Sequence, residues 1–172
     1  PPRSTLFPYT TLFRSGFVQS IRKAIEHTKG DIIAIHGSGD ISYPNRIEKQ
    51  LKVLKENEKI GVVGCYVEHV NKVDNYSRII GIALDGITDI TSYLLKKNIF
   101  THGEVMFRKE IYDKVGGHRD FCKYTQDYDL WLRMSLHTQF YVIKEVLYKR
   151  YTLPDGVSAI FEKKIMQKFF SE

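Results

Sequence analysis

Cysteine is scarce in this chain: two in 172 residues, Cys65 and Cys122, without C-x-x-C spacing. That excludes a disulfide framework and a thiolate metal centre, and the pair reads as reduced thiols of a cytosolic protein. Long apolar runs are also missing, and none approaches the ~18 residues of a membrane span. No block of five or six like charges suggests a nucleic-acid-binding tail. His27, His69, His118 and His137 show no metal-ligand spacing such as H-x-x-x-H. Internal repeats, low-complexity tracts and domain linkers are absent too. What is there is ordinary: 42% hydrophobic and 27% charged residues, enough to bury a real core. The formal charge of +6 is mild, and solubility explains it as well as attraction to phosphates or to an anionic membrane surface.

The first fifteen residues, PPRSTLFPYTTLFRS, carry neither a helical nor a strand period. Pro8 and the threonine pairs break any secretory signal. The run resembles the translation of a widely used DNA-sequencing adapter. Residues 1–15 are therefore read as a non-native scar and set aside, which takes Arg3 and Arg14 with them and lowers the charge to +4. Residues 16–172 then form one domain that is incomplete at its N-terminus.

From Gly16 the pattern alternates between helix and strand. Phe17, Val18, Ile21, Ala24 and Ile25 make a helical stripe ending by Gly30. DIIAIH (31–36) is a buried-strand run, followed by the tight loop GSGD (37–40). Pro44 then opens a helix carried by Ile47, Leu51, Val53 and Leu54 to about Asn57. IGVVGCYVEHV (60–70) is a second buried strand, SRIIGIAL (77–84) a third, and ITDITSYLLKKN (87–98) a helix. EVMFR leads from a short strand into a helix closed by Gly116 and Gly117; QDYDLWLRMSLH (126–137) is a further helix. QFYVIKEVLYKRY (139–151) supplies one or two strands, and 156–170 a final helix. Strands alternating with helices predict an α/β layer fold with a largely parallel sheet. Ligands then bind at the carboxyl ends of strands, where GSGD and QDYD fall.

Two segments can carry chemistry. In the first, the small residues Gly37, Ser38 and Gly39 let a ligand approach the backbone beside a helix start that suits phosphate. Asp40 is either an oxygen ligand for Mg2+ or Mn2+ or a cap on backbone amides. In the second, Asp127 and Asp129 stand two apart at a helix start. Asp129 lies four residues before Arg133, the spacing of a helical ion pair, while Asp127, behind Gln126, is the better general base. Both also suit the helix dipole. Trp131 falls on the apolar side and reads as core. His102, before Gly103, is either a substrate contact or a hydrogen-bonded structural histidine.

Together, PNRIEKQ after the GSGD loop and MFRKEIYDKVGGHRDFCKYTQDYDLWLR, with VLYKRY and GVS beyond it, resemble the family-two inverting glycosyltransferases of the GT-A fold. The resemblance covers nearly everything from Gly16 onward. It implies a Rossmann-like α/β domain that transfers a sugar from a nucleotide-diphosphate donor to an acceptor hydroxyl, with inversion. Asp127 would be the base; His36, Gly37, Ser38, Gly39 and Asp40 would face the donor; His102, Gly103, Gln126 and Asp129 would line the acceptor cleft. The implied partners are the sugar nucleotide and a glycan or lipid-linked acceptor in surface-polysaccharide synthesis, with no nucleic acid. The implied place is the cytoplasm, including the inner face of the membrane.

This chain departs from the family at one loop, where an acidic cluster such as D-S-D-D is replaced by Gly37-Ser38-Gly39-Asp40. Asp40 is the sole carboxylate left there for a divalent cation, with His36 and Ser38 as candidate helpers. The family's opening nucleotide-gripping strands are expected before Gly16, so the fragment is expected to be inactive alone. Two competing readings are a non-catalytic relative that binds a sugar nucleotide or a partner, and an unrelated nucleotide-binding α/β domain. The second does not explain QDYDLWLR.

Overall fold

A computed structural model describes residues 9–81, 90–121 and 125–153. The elements run α1 (Tyr9–Glu26), β1 (Ile32–Ala34), β2 (Ile41–Ser42), α2 (Arg46–Glu56), β3 (Ile60–Asn71), β4 (Tyr76–Ile80), α3 (Thr91–Leu94), β5 (Met106–Arg108), α4 (Lys109–Lys114), α5 (Gln126–Ser135) and β6 (Gln139–Thr152). The helix expected over 156–170, the GVS segment and Cys122 lie outside the described residues. So does most of the GIAL end of the third expected strand.

The α/β class is as expected, but the sense of pairing differs. Strand order is β1-β5-β3-β6-β2, with β4 on β3 beyond β5. Among the described residues only β3 and β6 run parallel; the β1–β5, β2–β6, β3–β4 and β3–β5 pairs are antiparallel. The expectation of a largely parallel sheet gives way to a mixed one. Alternating helices and strands indicate crossovers but not hairpins. Here the turn at Asn75, held at φ 53°, reverses β3 into β4 before the chain returns as β5.

The long strand β3 changes character along its length. Its first six residues are all buried, and the alternation appears only afterwards. Val62 packs with Phe107, Phe140, Leu130, Trp131 and Met134 in one cluster, while Ile60, Val63 and Met106 meet Leu54 of α2 in another. The start of the strand therefore has helices on both faces, which is what a continuous apolar run implies. Trp131 is fully buried against Phe100 and Phe107, so it is a core residue.

Helix boundaries and faces also hold corrections. Helix α1 is interrupted at Gly16, which takes φ 74°, ψ 166°. Helix α2 begins at Arg46, so Pro44 precedes its first turn. Its buried positions are Arg46, Gln50 and Leu54, whereas Ile47, assigned to the apolar side, is exposed. The real inner face is rotated by one residue because a polar pair occupies it. At the C-terminus of α4, Gly116 and Gly117 take φ 77° and 66°, the left-handed stop expected of glycine.

Candidate active site

The chain leaves β1 through Ile35, whose amide donates to Val105 O at 2.9 Å. It then turns tightly, Asp40 N donating to Gly37 O at 3.1 Å and Gly39 taking φ 84°. The Asp40 carboxylate points to β6: Oδ2 accepts from the Tyr148 hydroxyl at 2.8 Å and Oδ1 from Tyr151 N at 3.0 Å. The same hydroxyl accepts from Gly37 N at 2.8 Å. Of the two roles expected for Asp40, these contacts belong to the anchoring one. Gly37 has no room for a side chain, since a Cβ would lie 2.3 Å from Asp40 Oδ2, whereas Gly39 borders open space. His36 and Ser38 are exposed, with the His36 ring edge-on to Tyr148 at 5.7 Å.

Arg46 and Gln50 bond carbonyls just after β1, within β3 and in the loop before β5. Arg46 Nη2 donates to Ile35 O at 2.8 Å, and Nε donates to Gln50 Oε1 at 3.0 Å. Gln50 Nε2 donates to Val63 O and Glu104 O at 3.1 and 2.7 Å. The guanidinium lies 4.9 Å over the Tyr148 ring, a cation–π geometry. Sequence reading noted these two residues only as part of a family pattern. The usable signal was a polar pair four apart, which one helix face can place side by side.

The loop from Thr101 to Val105 lies on the same phenol. A Cβ on Gly103 would stand 2.3 Å from the Tyr148 oxygen, so Gly103→Ala should destabilise the fold by about 1–3 kcal/mol, read in chemical denaturation. Glu104 is buried, and its carboxylate accepts from Thr101 N and Oγ1 at 2.7 and 2.6 Å. Burial raises its pKa, and the Thr101 bonds oppose the rise.

His102 takes φ 74°, unusual for a residue with a Cβ. Its Nε2 lies 3.4 Å from His118 Nε2, and His118 Nδ1 lies 3.1 Å from the Tyr112 hydroxyl. With Tyr112 donating to Nδ1, His118 carries its proton on Nε2 and donates to His102, whose own proton is then on Nδ1. Burial depresses both histidines. His118 falls to about 3, with His102, Arg133 and Arg22 adding to the effect, while the charge of Asp127 pulls His102 the other way. The unfolded chain therefore binds protons below about pH 6.5 that the folded one refuses until about pH 3. Stability should fall on acidification through that window, by up to about 1.4 kcal/mol per pH unit for His118. Glu104 works in the opposite direction, losing stability as pH rises above its ordinary carboxylate range. Unfolding midpoints from pH 7 to 4 check this, and His118→Asn should flatten the slope.

Asp127 sits half-buried in the first turn of α5. Asn98 Nδ2 donates to its Oδ2 at 3.2 Å and Tyr128 N to its Oδ1 at 2.8 Å. Its charge opposes the effect of burial on the His102 pKa. Asp129 is engaged elsewhere. Its Oδ2 accepts from Arg133 Nη2 at 2.6 Å, the expected i, i+4 pair, and Arg119 lies 3.6 Å from its Oδ1. Arg133 in turn donates to Val115 O and Gly117 O, closing α4. Among the described residues the Asp129 carboxylate is thus engaged by Arg133 and Arg119. Gln126 Oε1 is buried with no hydrogen-bond partner among the described residues.

The described residues do not assemble a cation site. Among the described residues no three His, Cys, Asp or Glu side chains are grouped to hold a metal, and both Asp40 oxygens already accept hydrogen bonds. Also among the described residues, no helix is long and apolar enough to cross a membrane.

Comparison with known proteins matches residues 9–116 to the family model "Glycosyl transferase family 2". The O-antigen biosynthesis glycosyltransferase WbnJ of Escherichia coli is 32% identical over 115 residues, 67% of this chain and 44% of that protein. Among solved structures, the mannosyltransferase PcManGT of Pyrobaculum calidifontis, in complex with GDP-Man and Mn2+, has a TM-score of 0.61 at 16% identity, covering 90% of this chain and 42% of that one. S. aureus TarS 1-349 in complex with UDP-GlcNAc has a TM-score of 0.64 at 12% identity, covering 85% and 42%. At those identities the likeness is one of fold. The chain spans about half the length of the curated relatives it matches. With the family model covering more than half of its residues, this chain belongs to glycosyl transferase family 2.

Proposed function

We propose that the protein carrying this chain transfers a sugar from a nucleoside-diphosphate donor to an acceptor hydroxyl, with inversion, in the synthesis of surface polysaccharide. One observation carries the reading. Loop 37–40 and loop 101–104 both rest on the Tyr148 hydroxyl, and the second loop carries His102, on whose titration the Asp127 charge acts. The glycine-rich loop and the His102–Gly103 loop thus meet around one phenol.

In this mechanism the Asp127 carboxylate takes the proton of the acceptor hydroxyl as its oxygen bonds to the anomeric carbon. The bond from that carbon to the diphosphate oxygen breaks on the opposite face, and the diphosphate leaves with the electron pair. Asn98 and the Tyr128 amide orient the carboxylate, leaving it little freedom to swing away. The neutral His102 supplies a donor on Nδ1 for acceptor or leaving group. His36, Ser38 and the space beside Gly39 face the donor. No step is assigned to a cation, because the described residues do not form its site.

Relatives solved with GDP-Man or UDP-GlcNAc support a sugar nucleotide as donor. The name of WbnJ, an O-antigen biosynthesis glycosyltransferase, supports a polysaccharide product. A glycan or lipid-linked acceptor at the cytoplasmic face of the membrane is part of the proposal. Residues 1–15 are proposed to be foreign and 16–172 part of the GT-A domain; the helix break at Gly16 falls at that junction. Sequencing the upstream reading frame decides this. A second reading, a non-catalytic sugar-nucleotide-binding domain, draws on the Asp40 carboxylate being held by β6. Release of nucleoside diphosphate from UDP- and GDP-sugars by the full-length protein separates the two: turnover supports transfer, and binding without turnover supports the second.

A further inference from the structure

We propose that Tyr148 is the positioning residue of the 37–40 loop: its hydroxyl, in place of a divalent cation on Asp40, sets the loop in the form that receives a diphosphate. This deepens the sugar-nucleotide reading and rests on it.

Tyr148 is fully buried, yet its oxygen reaches the loop with both of its hydrogen-bonding capacities in use. It accepts the Gly37 N–H at 2.8 Å and donates to Asp40 Oδ2 at 2.8 Å. Two glycines from separate motifs lie against that oxygen, a Cβ on Gly103 standing 2.3 Å away and one on Gly37 3.1 Å. The ring is held from one side by the Arg46 guanidinium, which also bonds the Ile35 carbonyl just before the loop. The second Asp40 oxygen is taken by Tyr151 N–H, so the carboxylate is fastened to β6 by two neutral donors. A carboxylate awaiting a cation faces the ligand; this one faces the sheet. What the loop leaves toward solvent is His36, Ser38 and the unfilled space beside Gly39. A diphosphate approaching there meets an imidazole, a hydroxyl and a backbone free of side chains. Burial raises the Tyr148 pKa, so the phenol keeps the proton it donates.

The two accounts rank a pair of variants in opposite order. Asp40→Asn keeps an oxygen for Tyr151 N–H but is a poor cation ligand; Tyr148→Phe leaves the carboxylate intact and removes the hydroxyl. Calorimetry of UDP and GDP with the full-length protein, in MnCl2 and in EDTA, reads the order. We expect wild-type affinity to differ by no more than about threefold between the two buffers. Tyr148→Phe should lose about tenfold in both, and Asp40→Asn less, as expected when a buried amide and carboxylate each lose a partner. In turnover, Tyr148→Phe should raise KM for the donor and leave kcat within about twofold, a split that general loosening of the fold does not produce. Thermal melts of both variants verify that they fold. Should Tyr148→Phe melt out, Gly37 amide exchange in Tyr148→Met against wild type decides: faster exchange supports the proposal and equal exchange overturns it. Loss of wild-type binding in EDTA, or Asp40→Asn weaker than Tyr148→Phe, overturns this proposal while leaving sugar-nucleotide binding in place. A wild type that binds neither nucleotide in either buffer overturns both.

Discussion

Asp127→Asn in the full-length protein should lower kcat by about 100- to 10,000-fold and leave KM for the donor nearly unchanged, the range associated with loss of a positioned general base. The substitution is close to isosteric. Asn keeps one acceptor in place of two, so one of the donors, Asn98 Nδ2 or Tyr128 N–H, keeps its oxygen while the other loses its partner. What is lost is the capacity to take a proton from the attacking hydroxyl. The melting temperature should move little, because among the described residues the half-buried side chain makes those two hydrogen bonds and one of them survives. Asp129→Asn offers the contrast. Its ion pair within α5 steadies the Arg133 guanidinium that bonds Val115 O and Gly117 O at the end of α4, so its effect should fall on stability more than on turnover. An Asp127→Asn enzyme that keeps wild-type kcat would remove Asp127 from the mechanism, while an equal loss from both variants would point to a folding effect.

The largest expected stability effect is at Arg46. Arg46→Met fills much of the same volume but leaves Ile35 O and Gln50 Oε1 without their donor in a buried place. Each buried acceptor left unpaired costs about 1–3 kcal/mol, so a total loss of about 3 kcal/mol is expected in chemical denaturation. Removal of a buried charge is itself favourable, which keeps the figure below the simple sum. Arg46→Lys should recover little, because one ammonium cannot bond Ile35 O and Gln50 in the fork that the guanidinium spans, nor stack on Tyr148 in the same way. A loss below about 1 kcal/mol for Arg46→Met would mean the two acceptors find other partners.

Helix α2 illustrates how far periodicity reaches. Its existence and its end near Asn57 were legible, since Leu51 and Leu54 recur at helical spacing. Its inner face was not, because polar residues are assigned to solvent unless a partner is known. The partners of Arg46 and Gln50 are carbonyls contributed by β1, β3 and the loop before β5. Strand β2 was missed for a related reason: two residues carry no period, and their pairing is with Lys149 and Tyr148 far along the chain.

The candidate site divides in the same way. QDYDLWLR and the glycine-rich loop were found from residue types and spacing, and the Asp129–Arg133 pair from the pitch of a helix. These are properties of nearest neighbours along the chain, which the order of residues alone determines. Tyr148 drew no notice, being one apolar-seeming residue in a strand run. Only the tertiary structure brings its hydroxyl to Gly37 and Asp40, packs Gly103 against it and turns the Asp40 carboxylate toward the sheet. A buried hydrogen bond takes whichever partner the packed strands bring within about 3 Å, and that distance is unrelated to separation in sequence.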